Sequence, residues 1–248
     1  VLRKLKLIVL FYSSLCLWFG ELYAQEKLKL YLIPGQGSDH RVFQDYHFDT
    51  SFIDTIHVRF LLPNRGERML SYASRMAEQI DTNGYYAIMG VSLGGMIACE
   101  LADKLNPDKV FIVSSAKNRK ELPVGYRTQR YVPIYSIVPA GIVKAGSFVL
   151  QPLFEPDRKR HKQVFKSMLK DMDKRFIKRA IRLIVTWNRE QSPEKVVHIH
   201  GAKDSTIPIR RVEADYIIEE GSHMMTLNQA AEIQKIIEVE LGGTCAAP

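Results

Sequence analysis

Short apolar runs alternate along this chain with stretches whose apolar residues recur every three or four positions. Leu28–Ile33 alternates polar and apolar side chains, turns wholly apolar and stops at Pro34-Gly35, as a strand does. Residues 57–62 (closed by Pro63), 85–91, 110–114, 196–200 and 215–218 read as further strands. Helical spacing places Met69, Tyr72, Ala73, Met76, Ala77 and Ile80 on one face over 67–81, and a second helix is predicted over 94–105, halted by Asn106-Pro107. Thr226 followed three positions later by Gln229 has the form of a capping box and predicts the start of a last helix that ends at Gly242-Gly243. Alternation of this kind predicts an α/β fold, a mostly parallel central sheet flanked by helices.

The pattern breaks once. Residues 117–194 contain no convincing strand and are far too long for a plain loop, so they predict an insertion with structure of its own. Val164, Met168, Met172, Phe176, Ala180 and Ile184 recur every four residues there, as one face of a helix does. The expected organisation is therefore a core of 25–116 and 195–248 with a helical cap of 117–194. Charge follows the same division. The cap holds 18 Lys and Arg against 7 Asp and Glu, a balance of +11 in a chain whose total is +8, which leaves the rest slightly acidic. Its basic residues, among them Arg158, Lys159, Arg160, Lys162, Lys166 and Lys170, either form a solvated face or steer an acidic substrate, an acidic carrier or an anionic membrane surface. Tyr131, Ile134, Tyr135, Ile137, Val138, Phe148, Leu153 and Phe154 either roof a pocket or pack the cap helices on one another.

Ahead of the first strand, Arg3, Lys4 and Lys6 precede an uncharged run over 7–19. That run is shorter than the ~20 residues a spanning helix needs and suits an export signal over 1–24, cut after Ala24 or retained as an anchor. Export to the periplasm or medium is the expected location. The chain's length of 248 residues suits one domain with an insertion, and 46% hydrophobic with 25% charged residues excludes disordered and fibrous classes. Three scattered cysteines, Cys16, Cys99 and Cys245, form neither a disulfide framework nor a zinc cage. His198 and His200 share one strand face but find no third ligand at suitable spacing, so no metal is expected. No recognition motif accompanies the basic charge, which argues against nucleic-acid binding.

The most informative segment is Gly90-Val91-Ser92-Leu93-Gly94, where a buried strand hands over to a helix. A serine hydroxyl is a weak nucleophile and has to be presented bare, beside a base and near oxyanion donors. A sharp strand-to-helix turn does this, and Gly90 and Gly94 relieve the crowding it creates. The base and its orienting carboxylate are expected in the order Ser, Asp, His. Asp204 follows the strand ending at His200, and His223 lies in the loop before the last helix, both at carboxyl ends of strands, where loops of an open α/β sheet meet. The catalytic candidates are Ser92, Asp204 and His223. For the oxyanion hole the candidates are the main-chain amides of Leu93, directly after the serine, and Gln36, in the glycine-flanked loop after the first strand. That loop lacks the Lys-Ser/Thr of a phosphate cradle.

Taken together, the Ile33-Pro34-Gly35-Gln36-Gly37-Ser38 loop, the 90–95 segment, His200-Gly201 with Asp204, and Gly221-Ser222-His223 resemble the α/β-hydrolase superfamily, specifically its serine hydrolases with a helical cap. The resemblance spans nearly all of the chain after residue 24 and leaves the cap unmatched. One departure is Pro34-Gly35 where the family's first loop usually begins His-Gly, a change that keeps the main-chain donor. The resemblance implies hydrolysis of a carboxylic ester or thioester of a small molecule through an acyl-enzyme, without a cofactor, and a serine at the turn argues against dehalogenase and epoxide-hydrolase relatives. The alternative is a catalytically silent fold that binds partners through its basic cap.

Overall fold

The computed structural model describes residues 27–154 and 161–242. The expected export signal, Cys16, Cys245, Arg158, Lys159 and Arg160 lie outside them. Among the described residues, no helix is long and apolar enough to cross a membrane.

Among the described residues, six strands form one sheet in the order β2-β1-β3-β4-β5-β6, every neighbouring pair parallel: β1 (Leu28–Ile33), β2 (Ile53–His57), β3 (Tyr86–Val91), β4 (Lys109–Val113), β5 (Val196–Gly201) and β6 (Tyr216–Ile218). Parallel strands need crossovers, and the helices that make them cover both faces, so the central strands are apolar on both sides. Alternate residues divide between two cores. Tyr31, Ile33, Ile88, Val110 and Ile112 pack with α1 (Met69–Met76) and α2 (Leu93–Leu105). Leu30, Leu32, Met89, Phe111 and Val113 belong to the opposite core.

Two elements differ from the sequence reading. The second strand is Ile53–His57 rather than 57–62. After the Val58 amide donates to the Leu32 carbonyl (2.9 Å), β1 ends and turns away at Pro34, leaving nothing for the chain to pair with. Residues 60–62 are apolar because they pack beyond the sheet edge, Phe60 against Phe176 with ring centroids 4.7 Å apart. Hydrophobicity there reports burial, not pairing. The true strand lies at the edge, with most of its side chains outside the core. The last helix also starts differently. Thr226 lies inside a single turn, α8 (Met225–Asn228), and α9 (Ala230–Glu240) begins at Gln229 with no side-chain cap. The spacing for a capping box is present, but the buried Thr226 is held within the turn and cannot serve as its N-cap.

Among the described residues, five α-helices lie between β4 and β5: α3 (Val124–Thr128), α4 (Ile134–Ile137), α5 (Ala140–Phe154), α6 (Lys162–Asp171) and α7 (Lys174–Thr186). The four-residue apolar repeat runs across two of them. Asp173 breaks the helix and caps the next, its side chain accepting from the Arg175 amide at 2.7 Å. Phe176, Ile177, Ala180, Leu183 and Ile184 form the buried stripe of α7. Just past its end, the Trp187 indole N–H donates to the buried Glu100 carboxylate of α2 at 2.7 Å, fastening cap to core. The apolar cap residues divide: Tyr135 is buried, whereas Tyr131, Ile134 and Ile137 face solvent. The side chains of Phe148, Leu153 and Phe154 lie outside those described.

Replacing Trp187 with Phe keeps an aromatic side chain but removes the indole N–H that the buried Glu100 carboxylate accepts from. A loss of about 1–3 kcal/mol in unfolding free energy is expected, read from the urea midpoint. An unchanged midpoint would mean that Glu100 finds another donor.

Candidate active site

The order of the strands sets the place. Along the sheet the chain runs from β1 outward to β2, then returns to β3 on the other side, so a crevice opens beyond the carboxyl ends of β1 and β3. The loop after β1 and the turn after β3 both lie there.

Ser92 stands between β3 and α2 with φ 51° and ψ −114°, a conformation a side-chain-bearing residue rarely adopts, costing about 1–3 kcal/mol. Its surroundings over-determine it. The Ser92 amide donates to the Val113 carbonyl (2.9 Å), and its own carbonyl accepts from the Ser115 hydroxyl at 2.6 Å and the Gly95 amide at 2.9 Å. The turn is also tight enough that only glycine fits on either side. A Cβ at Gly90 would strike the Gly94 carbonyl, and one at Gly94 would strike the Ile33 and Pro34 carbonyls.

The three expected side chains meet. Ser92 Oγ lies 3.0 Å from His223 Nε2, and His223 Nδ1 lies 2.8 Å from Asp204 Oδ2. An ionised Asp204 can only accept, so Nδ1 carries the proton and Nε2 presents its lone pair to the serine hydroxyl. Asp204 is itself pinned, its Oδ1 accepting from the amides of Thr206 and Ile207, both at 2.8 Å. Burial pushes its carboxyl up, but the His223 imidazole beside it, the hydrogen bond to that imidazole and the Ile207 amide together hold its pKa below the ordinary 3.8. The two loops that bring Asp204 and His223 together touch through glycine backbone: a Cβ at Gly201 would strike the Gly221 carbonyl.

Gln36 and Leu93 also lie at the serine. A Cβ at Gly35 would sit 3.4 Å from the Ser92 Cβ, so the first loop runs beside the hydroxyl. The Gln36 side chain is occupied elsewhere, its Nε2 donating to the Ile177 carbonyl of the cap at 3.1 Å. Neither the Gln36 nor the Leu93 amide has an acceptor among the described residues. The loop is braced from within by Ser38, whose Oγ accepts from the Gly35 amide (3.0 Å) and donates to the Gly35 carbonyl (2.9 Å).

Ser92 and His223 open onto a cavity of about 390 Å³. Its far wall comes from the cap: Tyr126 and Tyr135, then Ile177, Ile181 and Ile184 of α7. Among the described residues, no Lys, Arg, Asp or Glu lines it. Sequence reasoning named Tyr135 for this wall but not Tyr126 or the isoleucines, whose helical stripe looks the same whether it faces core or cavity. Also missed was the support beneath Asp204. His200 Nε2 donates to the Ile207 carbonyl at 2.8 Å, and its Nδ1 accepts from His198 Nε2 at 3.0 Å. Burial lowers the pKa of both imidazoles, so they stay neutral and brace the loop that carries Asp204. Among the described residues, no cluster of His, Cys, Asp and Glu could hold a metal ion.

No protein-family model matches the chain, and no curated protein matches its sequence. Solved structures do match in shape. An enol-lactonase from Burkholderia xenovorans LB400 superposes with a TM-score of 0.66 at 11% identity, covering 89% of this chain and 93% of that one. A thermophilic esterase from Thermogutta terrifontis, malate bound, gives 0.64 at 15% identity over 86% and 89%. The RedJ thioesterase of the prodiginine pathway in Streptomyces coelicolor gives 0.60 at 15% identity over 88% and 87%. The parallel sheet flanked by helices is the α/β-hydrolase fold.

Because the folded pKa of Asp204 is depressed, its carboxylate contributes stability that is fully present above about pH 4 and is lost as pH falls through the folded value. The stability gap between wild type and Asp204→Asn is therefore expected to narrow as pH drops from 6 towards 3, measured by denaturant midpoints at each pH. A constant gap would contradict the assigned ion state.

Proposed function

We propose that the protein is a serine hydrolase that cleaves a carboxylic ester or thioester of a small molecule through an acyl-enzyme. Ser92 attacks the carbonyl carbon while His223 Nε2 takes the hydroxyl proton. Asp204 steadies the resulting imidazolium, and the Gln36 and Leu93 amides receive the oxyanion. Collapse of the tetrahedral intermediate breaks the bond to the alcohol or thiol, which leaves with the proton from His223. Water then attacks the acyl-enzyme with His223 as base and regenerates Ser92. The reaction needs no cofactor.

One observation carries this reading: the unbroken line from Ser92 Oγ through the His223 ring to Asp204, 3.0 and 2.8 Å long, headed by a serine held in a strained backbone conformation at the mouth of a cavity. Backbone strain at a residue whose hydroxyl faces a base costs stability that a passive binding surface has no reason to spend. The uncharged cavity wall favours a neutral, largely apolar acyl group, because a charged one would have to shed its water without a partner. The esterase and thioesterase among the structural neighbours are consistent with this chemistry.

A fluorophosphonate probe is expected to label wild-type protein on Ser92, with labelling abolished in Ser92→Ala and slowed by orders of magnitude in His223→Ala, as followed by mass spectrometry of digested protein. Equal labelling of Ser92→Ala would refute the assignment.

A further inference from the structure

Eleven large hydrophobic side chains are exposed among the described residues, and six of them fall within 124–142 of the cap: Val124, Tyr131, Val132, Ile134, Ile137 and Ile142. The other five, Phe52, Leu70, Tyr85, Ile217 and Val239, belong to the core. Tyr131 is 81% exposed and Ile137 79%, so these are whole side chains in water. The chain carries no Asp or Glu from 122 to 154 but does carry Arg127, Arg130 and Lys144. Lys178 of α7 joins them, its Nζ donating to the Ser136 carbonyl of α4 at 2.8 Å. Arg130 is exposed, whereas Arg127, Lys144 and Lys178 are half-buried and the Lys144 Nζ donates to the Lys170 and Met172 carbonyls at 2.6 Å; among the described residues, none of the four pairs with a carboxylate.

The same segment has an inner face. Tyr126, Gln129, Tyr135 and Ser147 line the cavity at Ser92, so in α4 Tyr135 points inward while Ile134 and Ile137 point out. We propose that the outer face of 124–142 docks on an anionic phospholipid surface. Exposed aliphatic and aromatic side chains enter the acyl-chain boundary while Arg130, backed by the positive charge of its neighbours, meets lipid phosphates. An acidic protein would satisfy the cations and leave the six apolar side chains without an equivalent partner. A second copy of this chain would bring like charges together. Resting on the hydrolase reading above, a corollary is that substrate passes from the lipid phase into the cavity beneath the same segment.

Sedimentation with vesicles tests the docking, using wild type and Ser92→Ala alike so that the result does not depend on catalysis. Both are expected to sediment with phosphatidylcholine vesicles containing phosphatidylglycerol and to stay largely in solution with phosphatidylcholine alone. Tyr131→Ser combined with Ile137→Ser is expected to weaken partition by about tenfold or more, and Arg130→Gln to weaken it severalfold, while turnover of a water-soluble short-chain ester is unchanged. The proposal is overturned if wild type stays in solution with both vesicles, or if the double variant partitions like wild type. It is equally overturned if vesicle binding is absent and the double substitution instead abolishes a concentration-dependent dimer or capture by an acidic carrier protein. Failure of the hydrolase reading would show as absent ester turnover with vesicle binding intact.

Discussion

The structure turns on how closely three pieces of backbone approach at the carboxyl edge of the sheet. Where β3 meets α2, the chain runs so near to itself at Gly90 and Gly94, and so near to the end of β1, that no side chain fits between. That contact, reinforced by the Val113 carbonyl and the Ser115 hydroxyl, forces Ser92 to a φ of 51° and leaves its hydroxyl bare. The strain is sustained by the large apolar cores on both faces of the sheet, against which about 1–3 kcal/mol is a minor cost. A second close approach, Gly201 against Gly221, does the corresponding task for the two loops that carry Asp204 and His223.

Electrostatics then sharpens what the backbone positions. Asp204 is buried, yet two amides and an imidazole give it reason to remain ionised. Beneath it the buried His198–His200 pair, hydrogen-bonded to the Ile207 carbonyl, braces the loop that carries the carboxylate. The cap follows the opposite rule, with uncharged residues towards the serine and Arg130 among exposed apolar side chains on the outside. One segment of chain, 124–142, thus has two unlike faces with separate proposed tasks.

Much of this was legible in the sequence because it is local. The buried strands 86–91 and 109–113 are apolar on both faces, and a glycine two residues either side of Ser92 at a strand-to-helix junction is a strong sign of a crowded turn. Topology then brings Asp204 and His223 to the same edge, although His223 lies 131 positions from Ser92. What escaped was information that is not local. Phe60 is apolar because a cap helix more than a hundred positions later covers it, and this made 57–62 look like the strand that 53–57 actually forms. Thr226 and Gln229 have the spacing of a cap, but an extra turn before α9 uses the threonine differently. The isoleucines of α7 follow one periodicity whether they face packed core or open cavity, so only the structure separates them.

The central claim is that Ser92 is acylated and then released. Rapid mixing with an excess of a slowly deacylating p-nitrophenyl ester, followed by acid quench and intact-mass analysis, tests it most directly. The account predicts a burst of nitrophenol matching one acyl group per chain, carried on the peptide that contains Ser92. Steady turnover with no burst and no acylated peptide, or an acyl group on another residue that persists in Ser92→Ala, would contradict it.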